Sequence, residues 1–331
     1  MMNMIKQKTA NAPTPMAGLA LGIASLSWCW ESIVPAHGYI QLSGTVVACA
    51  LLLILCLKFI SFPQSLWQDL MHPVAGSIVP TFAMSLMVIS KTTGQYFPSA
   101  GSILWLFAVL LHIVFFSLFT CHRIKAFHLE QMLPSWFVPP IGIIVADVAF
   151  PGNPTLQPLA ESLMMFGMTA YAVMLPVMLY RLIFITEIPD PAKPTIAIMA
   201  APASLSLAGY LTLLPEPSPF IVALLGSIAV LMTVTIYVAL FRLLRLPFSP
   251  GYAAFTFPLV IGATALFKTA QWLSEIEGSG EYALLIHTLA TIELYIATLV
   301  VGYVCMRYLN FYCSASNVVP SEQTLPGNDL A

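Results

Sequence analysis

The chain has 331 residues, 59% of them hydrophobic and only 8% charged, with a formal net charge of −2 and a mean hydropathy of +0.89. Soluble domains carry about 25% charged residues, so this composition excludes an ordinary water-soluble globule and fits a surface that faces lipid. No basic tract of the kind that grips nucleic acid is present, so no nucleic-acid partner is expected.

A polar N-terminal tail, 1–15, comes first. Ten hydrophobic runs follow, near 16–36, 39–60, 73–91, 99–121, 134–151, 160–185, 194–214, 219–241, 250–272 and 282–307. A hydrocarbon core about 30 Å thick needs roughly 20 helical residues, so each run is a predicted transmembrane helix, the fifth being the shortest. Links such as Pro35-Ala36-His37-Gly38 and Pro215-Glu216-Pro217-Ser218 are short enough to pair consecutive spans as helical hairpins. The membrane domain is expected over 16–308. A polar tail, 309–331, closes the chain and is expected to be disordered from about Ser314 onward.

Ten crossings sort the basic residues. Lys6, Lys8, Lys58, Arg123, Lys125, Arg181, Lys193, Arg242, Arg245 and Arg307 all follow an even number of crossings, and only Lys91 and Lys268 follow an odd number. Positive charge in short loops stays cytoplasmic, so both termini are expected there. The odd spans begin near 16, 73, 134, 194 and 250, in steps of 57, 61, 60 and 56, and a basic residue closes each even span. Such a period means one unit copied along the chain. The predicted fold is therefore an all-α integral membrane protein of ten helices, arranged as five hairpins around a central pore.

Odd and even spans differ in chemistry. Odd spans carry internal prolines, Pro80, Pro139 and Pro140, Pro202 and Pro258, whereas among even spans only Pro176 is internal. Internal prolines remove a backbone hydrogen bond and kink a helix. Odd spans are rich in small residues, as in Ala17-Gly18-Leu19-Ala20-Leu21-Gly22, while even spans are bulky, as in Leu51-Leu52-Leu53-Ile54-Leu55. Small residues pack helices closely or leave room for a conduit, and bulky aliphatic residues suit lipid. Odd spans are therefore the predicted inner layer.

Ionisable groups inside the spans are His112, Asp147, Lys268, His287 and Glu293. Their cost in hydrocarbon makes them functional candidates. Asp147 and Lys268 lie near outer span ends, from which interfacial water is expected to be in reach. His112 is expected to hydrogen-bond a neighbour. Glu293 is the deepest carboxylate, and its two readings, a proton-linked group or a partner for a neighbouring subunit, both stand. No inner span has a Lys or Arg at its centre, so an anion path would rely on backbone dipoles and hydroxyls. Phe255 and Phe257 flank Thr256 just before Pro258, where an aromatic is either packing or a plug. The cysteines, Cys29, Cys49, Cys56, Cys121, Cys305 and Cys313, show no C-x-x-C pair and no ligand spacing. No phosphate-binding glycine loop, H-E-x-x-H or nucleophile elbow occurs, so no enzyme, metal or cofactor is expected.

Four segments carry a family resemblance: His72-Pro73-Val74 leading into Pro80-Thr81-Phe82-Ala83-Met84-Ser85; Phe166-Gly167 with Leu175-Pro176-Val177-Met178-Leu179 and Arg181; Ala201-Pro202-Ala203; and Ala254-Phe255-Thr256-Phe257-Pro258. Together they resemble the tellurite-resistance/dicarboxylate transporter family, which includes the plant slow anion channels. Pro134-Ser135-Trp136-Phe137-Val138-Pro139-Pro140 is most similar to its bacterial branch. The resemblance implies five hairpins around a pore and a homotrimer with one pore per subunit in a bacterial inner membrane. It also implies a pore-occluding phenylalanine at Phe257, with Phe255 as the fallback. Two activities follow as expectations. One is passive conduction of small anions such as chloride or nitrate. The other is proton-coupled transport or export of dicarboxylate, sulfite or tellurite-type anions, with Glu293 and Asp147 as its motivation.

Overall fold

The computed structural model describes residues 9–185 and 187–315, with side chains through Tyr312. Lys6, Lys8, the Cys313 side chain and residues 316–331 of the expected tail lie outside the described residues. Every regular element among the described residues is helical. The chain opens with α1 (Met16–Trp30) and α2 (Tyr39–Ser61), then a short helix, α3 (Pro63–Met71). A helical turn, Ala75–Ile78, leads into α4 (Thr81–Tyr96) and α5 (Pro98–Lys125). A broken segment, Pro134–Val148, precedes α6 (Gln157–Phe184). A 3₁₀ stretch, Asp190–Ala200, runs into α7 (Ala201–Leu213), followed by α8 (Pro219–Leu243). A second, Pro250–Phe255, precedes α9 (Phe257–Ser274), and α10 (Gly280–Ala315) ends the described chain.

Eight of these stretches are long and apolar enough to cross a membrane. The other two expected spans are shorter, Met16–Trp30 and Pro134–Val148. The first stops at Trp30 rather than residue 36, because turns precede Pro35. The second is divided among short α and 3₁₀ pieces. Adjacent Pro139 and Pro140 remove two backbone donors there, so no continuous ladder forms. At the far end, α10 continues through Ala315, past residue 308, so the first part of the expected 309–331 tail is helical.

The prolines also act differently from the expected mid-helix kinks. Pro80 is the N-cap of α4, and Pro202 and Pro258 lie in the first turns of α7 and α9. Proline is tolerated at such positions, because its missing N–H costs a regular helix nothing there. Two inner spans are thus composites, a 3₁₀ lead-in followed by a regular α-helix with proline in its first turn, and the span of α4 has an α-helical turn before Pro80.

Burial separates two layers. In the hydrophobic windows of Ala75–Tyr96, Asp190–Leu213 and Pro250–Ser274, 78%, 83% and 78% of residues are buried, against 22–33% in the other five long stretches. Helices buried all round belong inside, and helices that leave bulky apolar faces exposed suit lipid. The α1 helix and the broken segment are also buried along most of their length. Each inner stretch packs against the outer helix that follows it, α1 with α2, α4 with α5, the broken segment with α6, α7 with α8 and α9 with α10.

Irregular backbone at membrane depth needs outside partners, and the broken segment finds them on the second hairpin. His112 Nε2 lies 2.8 Å from the Pro139 carbonyl, Trp105 Nε1 donates to the Ala146 carbonyl at 2.8 Å, and Lys91 Nζ donates to the Phe150 carbonyl at 2.8 Å. Both His112 and Trp105 are enclosed.

Three of the basic residues that close even spans fasten their hairpins. Lys58 Nζ donates to the Ala12 carbonyl, Arg123 Nη2 to Met71 and Arg181 Nη2 to Glu130, each ahead of the inner stretch of the same hairpin. Tyr308 plays this part in the fifth hairpin, donating to the Pro250 carbonyl, while Arg307 lies over the Phe248 ring at 5.4 Å. Lys58, Arg123 and Arg181 are buried. The unexpected α3 helix extends this lattice: Asp69 accepts from the Thr14 hydroxyl and lies 4.0 Å from Lys58. Asn11 and Tyr312 meet through a 3.4 Å bond from the Tyr312 hydroxyl, so the two described ends of the chain share one end of the molecule.

Candidate functional site

The five inner stretches converge on one cavity of about 60 Å³. It is lined by Gly18 and Leu21 from α1, Thr81 and Met84 from α4, Phe137 and Ile141 from the broken segment, Pro202 and Leu205 from α7, and Phe257 and Pro258 from α9. Its walls hold no charged side chain. The Thr81 hydroxyl donates to the Ile78 carbonyl at 2.7 Å, so its proton is already engaged. Beyond Phe257, farther from the chain ends, lies a smaller void of about 10 Å³, bordered by Ser25, Trp28, Val145, Ile261 and Thr264 among others. Phe257 and Leu205 border both spaces.

Phe255 is placed otherwise. It is enclosed, packs against the Tyr252 ring at 4.9 Å between centroids and borders neither space. The two-residue offset matters because Phe255 ends the 3₁₀ lead-in and Phe257 begins α9, so the chain turns between them. Gly22 on α1 permits this arrangement: a Cβ there would lie 2.4 Å from Thr256 Oγ1 and 3.2 Å from the Phe257 nitrogen. Thr256 in turn donates to the Ala253 carbonyl at 2.7 Å.

Regular α-helix begins at Thr81 in α4, Ala201 in α7 and Phe257 in α9, and all three residues line the larger cavity. Three helix N-termini therefore meet one small apolar space. The lead-ins engage some of their N–H groups, as where Phe82 donates to Val79 and Leu259 to Thr256. The aligned peptide dipoles of each regular helix still place partial positive charge at its start, up to about half an elementary unit. A site with this polarity favours an anion without any cationic side chain.

A third space of about 620 Å³ opens at the opposite end from the chain termini. Trp28 and Thr264 line it and also line the void beyond Phe257. Half-buried Lys268, exposed Gln271 and exposed His287 face it too. Lys91, held on the Phe150 carbonyl, is close enough to Lys268 for the two charges to repel. Lys268 thus stands at this third space, and none of the described residues that line the central cavity is charged.

The other candidates scatter. Pro202 and Pro258 line the cavity, whereas Pro80 and Pro140 do not. Asp147 does not reach interfacial water as expected: it is fully buried, neither carboxylate oxygen has a hydrogen-bond partner among the described residues, and it lines neither central space. The break in the fifth span folds its C-terminal end inward against α7, where a Cβ on Gly209 would lie 3.4 Å from that of Asp147. Glu293 lies behind α9 and lines neither central space. Sequence reading did not single out Gly22, Leu205 or Lys91 as site residues, although a glycine in a small-residue span and a lysine set apart from the other basic residues were visible signals.

A multi-pass membrane protein with apolar outer helices around a small uncharged cavity is the class this architecture defines. The chain belongs to the voltage-dependent anion channel (SLAC1) family, whose sequence model matches residues 12–309. Two relatives are named as transporters, both from Methanocaldococcus jannaschii. "Uncharacterized transporter MJ0762" is 26% identical over 243 residues, 63% of this chain and 68% of its own length. "Uncharacterized transporter MJ0576" is 28% identical over 239 residues, 61% of this chain and 65% of its own length.

Proposed function

We propose that the chain is a passive conduit for small anions such as chloride or nitrate, occluded by the Phe257 ring. The observation that carries this reading is the meeting of three helix N-termini at an uncharged cavity with Phe257 across it. Dipoles solvate an anion weakly, which suits fast passage over tight binding. Lys268 and Lys91 raise the local anion concentration at the outer mouth. An apolar constriction penalises strongly hydrated ions most, so nitrate should pass more readily than chloride, and doubly charged anions least. Expression in oocytes or planar bilayers tests this. Phe257→Ala should carry a large current with that order of permeability, while the wild type carries little. An unchanged current, with the variant verified at the surface, removes the gate.

The second reading is a proton-coupled carrier or exporter of dicarboxylate, sulfite or tellurite-type anions. Its support is a pair of carboxyl groups with unpartnered oxygens at membrane depth, Asp147 and Glu293. Liposome uptake separates the two: a carrier requires a pH gradient, and a conduit runs on the anion gradient alone. In either case cytoplasmic termini, a bacterial inner membrane and a homotrimer complete the proposal, and light scattering of the detergent-solubilised protein measures the assembly.

A further inference from the structure

Glu293 sits on the outer helix α10, but its carboxylate is turned toward the back of α9, the helix that begins with Phe257. A Cβ on Gly262 of α9 would lie 2.8 Å from Glu293 Oε2 and 3.6 Å from Thr233 Oγ1 of α8. Gly262 is five residues beyond Phe257, a little over one helical turn. Three helices from two hairpins therefore meet at a position that only glycine leaves open. Glu293 Oε2 is buried with no hydrogen-bond partner, and so is the Tyr237 hydroxyl on α8, which lies within range of the Glu293 charge. Glu293 Oε2 thus faces this contact, and the Tyr237 hydroxyl lies in its electrostatic range, each buried without a hydrogen-bond partner among the described residues.

Charge at such a contact is costly, so the observed packing suits the uncharged acid. We propose that Glu293, packed against Gly262 with the Tyr237 hydroxyl in electrostatic range, is a proton-binding site that controls the gate from behind. The protonated carboxyl fits against Gly262 between α9 and α10, with Oε2 buried, and keeps Phe257 across the cavity. Loss of the proton puts a charge against the α9 backbone, which this packing does not solvate. The contact loosens, and Phe257 loses its support. The titratable groups near Glu293 are few among the described residues. Cys29 from α1 is within range of the Glu293 charge, α8 contributes Tyr237, and His287 on α10 and Lys268 on α9 face the outer mouth.

This inference rests on the gated-conduit reading, and its experiment keeps the two apart. Anion flux is measured in proteoliposomes with equal pH on both faces, so that no proton gradient can drive transport. Wild-type flux should rise with pH, by up to about tenfold per unit, the limit for a single proton. Glu293→Gln, which mimics the neutral acid, should stay low and flat, and Phe257→Ala should be high and flat. A Glu293→Gln curve that follows the wild type overturns the proton site. If Phe257→Ala carries no added flux, the gate reading fails, and infrared spectroscopy still decides the site. The difference spectrum between wild type and Glu293→Gln at neutral pH should contain a protonated-carboxyl band, shifted in Tyr237→Phe. An ionised-carboxylate band in its place overturns the proposal.

Discussion

Gly22 sets how closely α1 approaches the start of α9. Its missing side chain leaves room for Thr256 and the Phe257 backbone, and a methyl group there would be 2.4 Å from Thr256 Oγ1. Overpacking of this kind costs about 1–3 kcal/mol. Gly22→Ala should therefore lower the melting temperature in detergent and displace Phe257, raising basal anion flux. Phe255→Leu should lose stability too but differ in flux. It removes ring contact with Tyr252 in the packed lead-in, costing stability by about 1–2 kcal/mol, and should leave the closed state non-conducting. A pair of residues two apart is thus separable by measuring flux and thermal stability together. Lys268→Gln tests the outer mouth: conductance should fall at low salt and approach wild type at high salt, as screening removes the benefit of the charge.

The broken segment Pro134–Val148 depends on its neighbours more than any other element. Its carbonyls at Pro139 and Ala146 are met by His112 and Trp105 of α5. Leaving a buried acceptor without a donor costs about 1–3 kcal/mol. Trp105→Phe keeps most of the apolar ring and removes the donor, so it should destabilise by at least that amount, which thermal unfolding in detergent checks. The enclosed position of Trp105 leaves the Ala146 carbonyl no solvent to turn to. Proline acts at this scale too. The spacing of Pro80, Pro202 and Pro258 was legible as a repeated break in the inner spans. That the break is a restart of regular helix, with N-termini turned to a shared cavity, was not legible. A proline removes a donor wherever it stands, but only the neighbouring helices decide which way the freed end points.

At the scale of the molecule, three of the basic residues that close even spans fasten the hairpins. Lys58, Arg123 and Arg181 each donate to a carbonyl ahead of the inner stretch they accompany. Hydrogen bonds from charged groups are worth about 1.5–3 kcal/mol. Arg181→Gln should therefore lower thermal stability and leave the anion permeability order unchanged, because the residue lies away from the central cavity. Parallel melting curves and reversal potentials on one preparation check both halves of that expectation. A shift in permeability order would mean that the hairpin clasp also shapes the central space.

Hydrophobic runs, their period near sixty residues and the contrast between small and bulky spans were enough to define the membrane class, the hairpins and the inner layer, because side-chain size and polarity must match what each face touches. Packing supplied the rest. Phe257 rather than Phe255 borders the central spaces because the chain turns at Thr256 between a 3₁₀ lead-in and α9. Asp147 is buried because the broken fifth span folds inward, and Glu293 faces α9 because Gly262 leaves space for it. Each of these depends on which helices become neighbours, and that is a property of the packed molecule that no local run of residues contains.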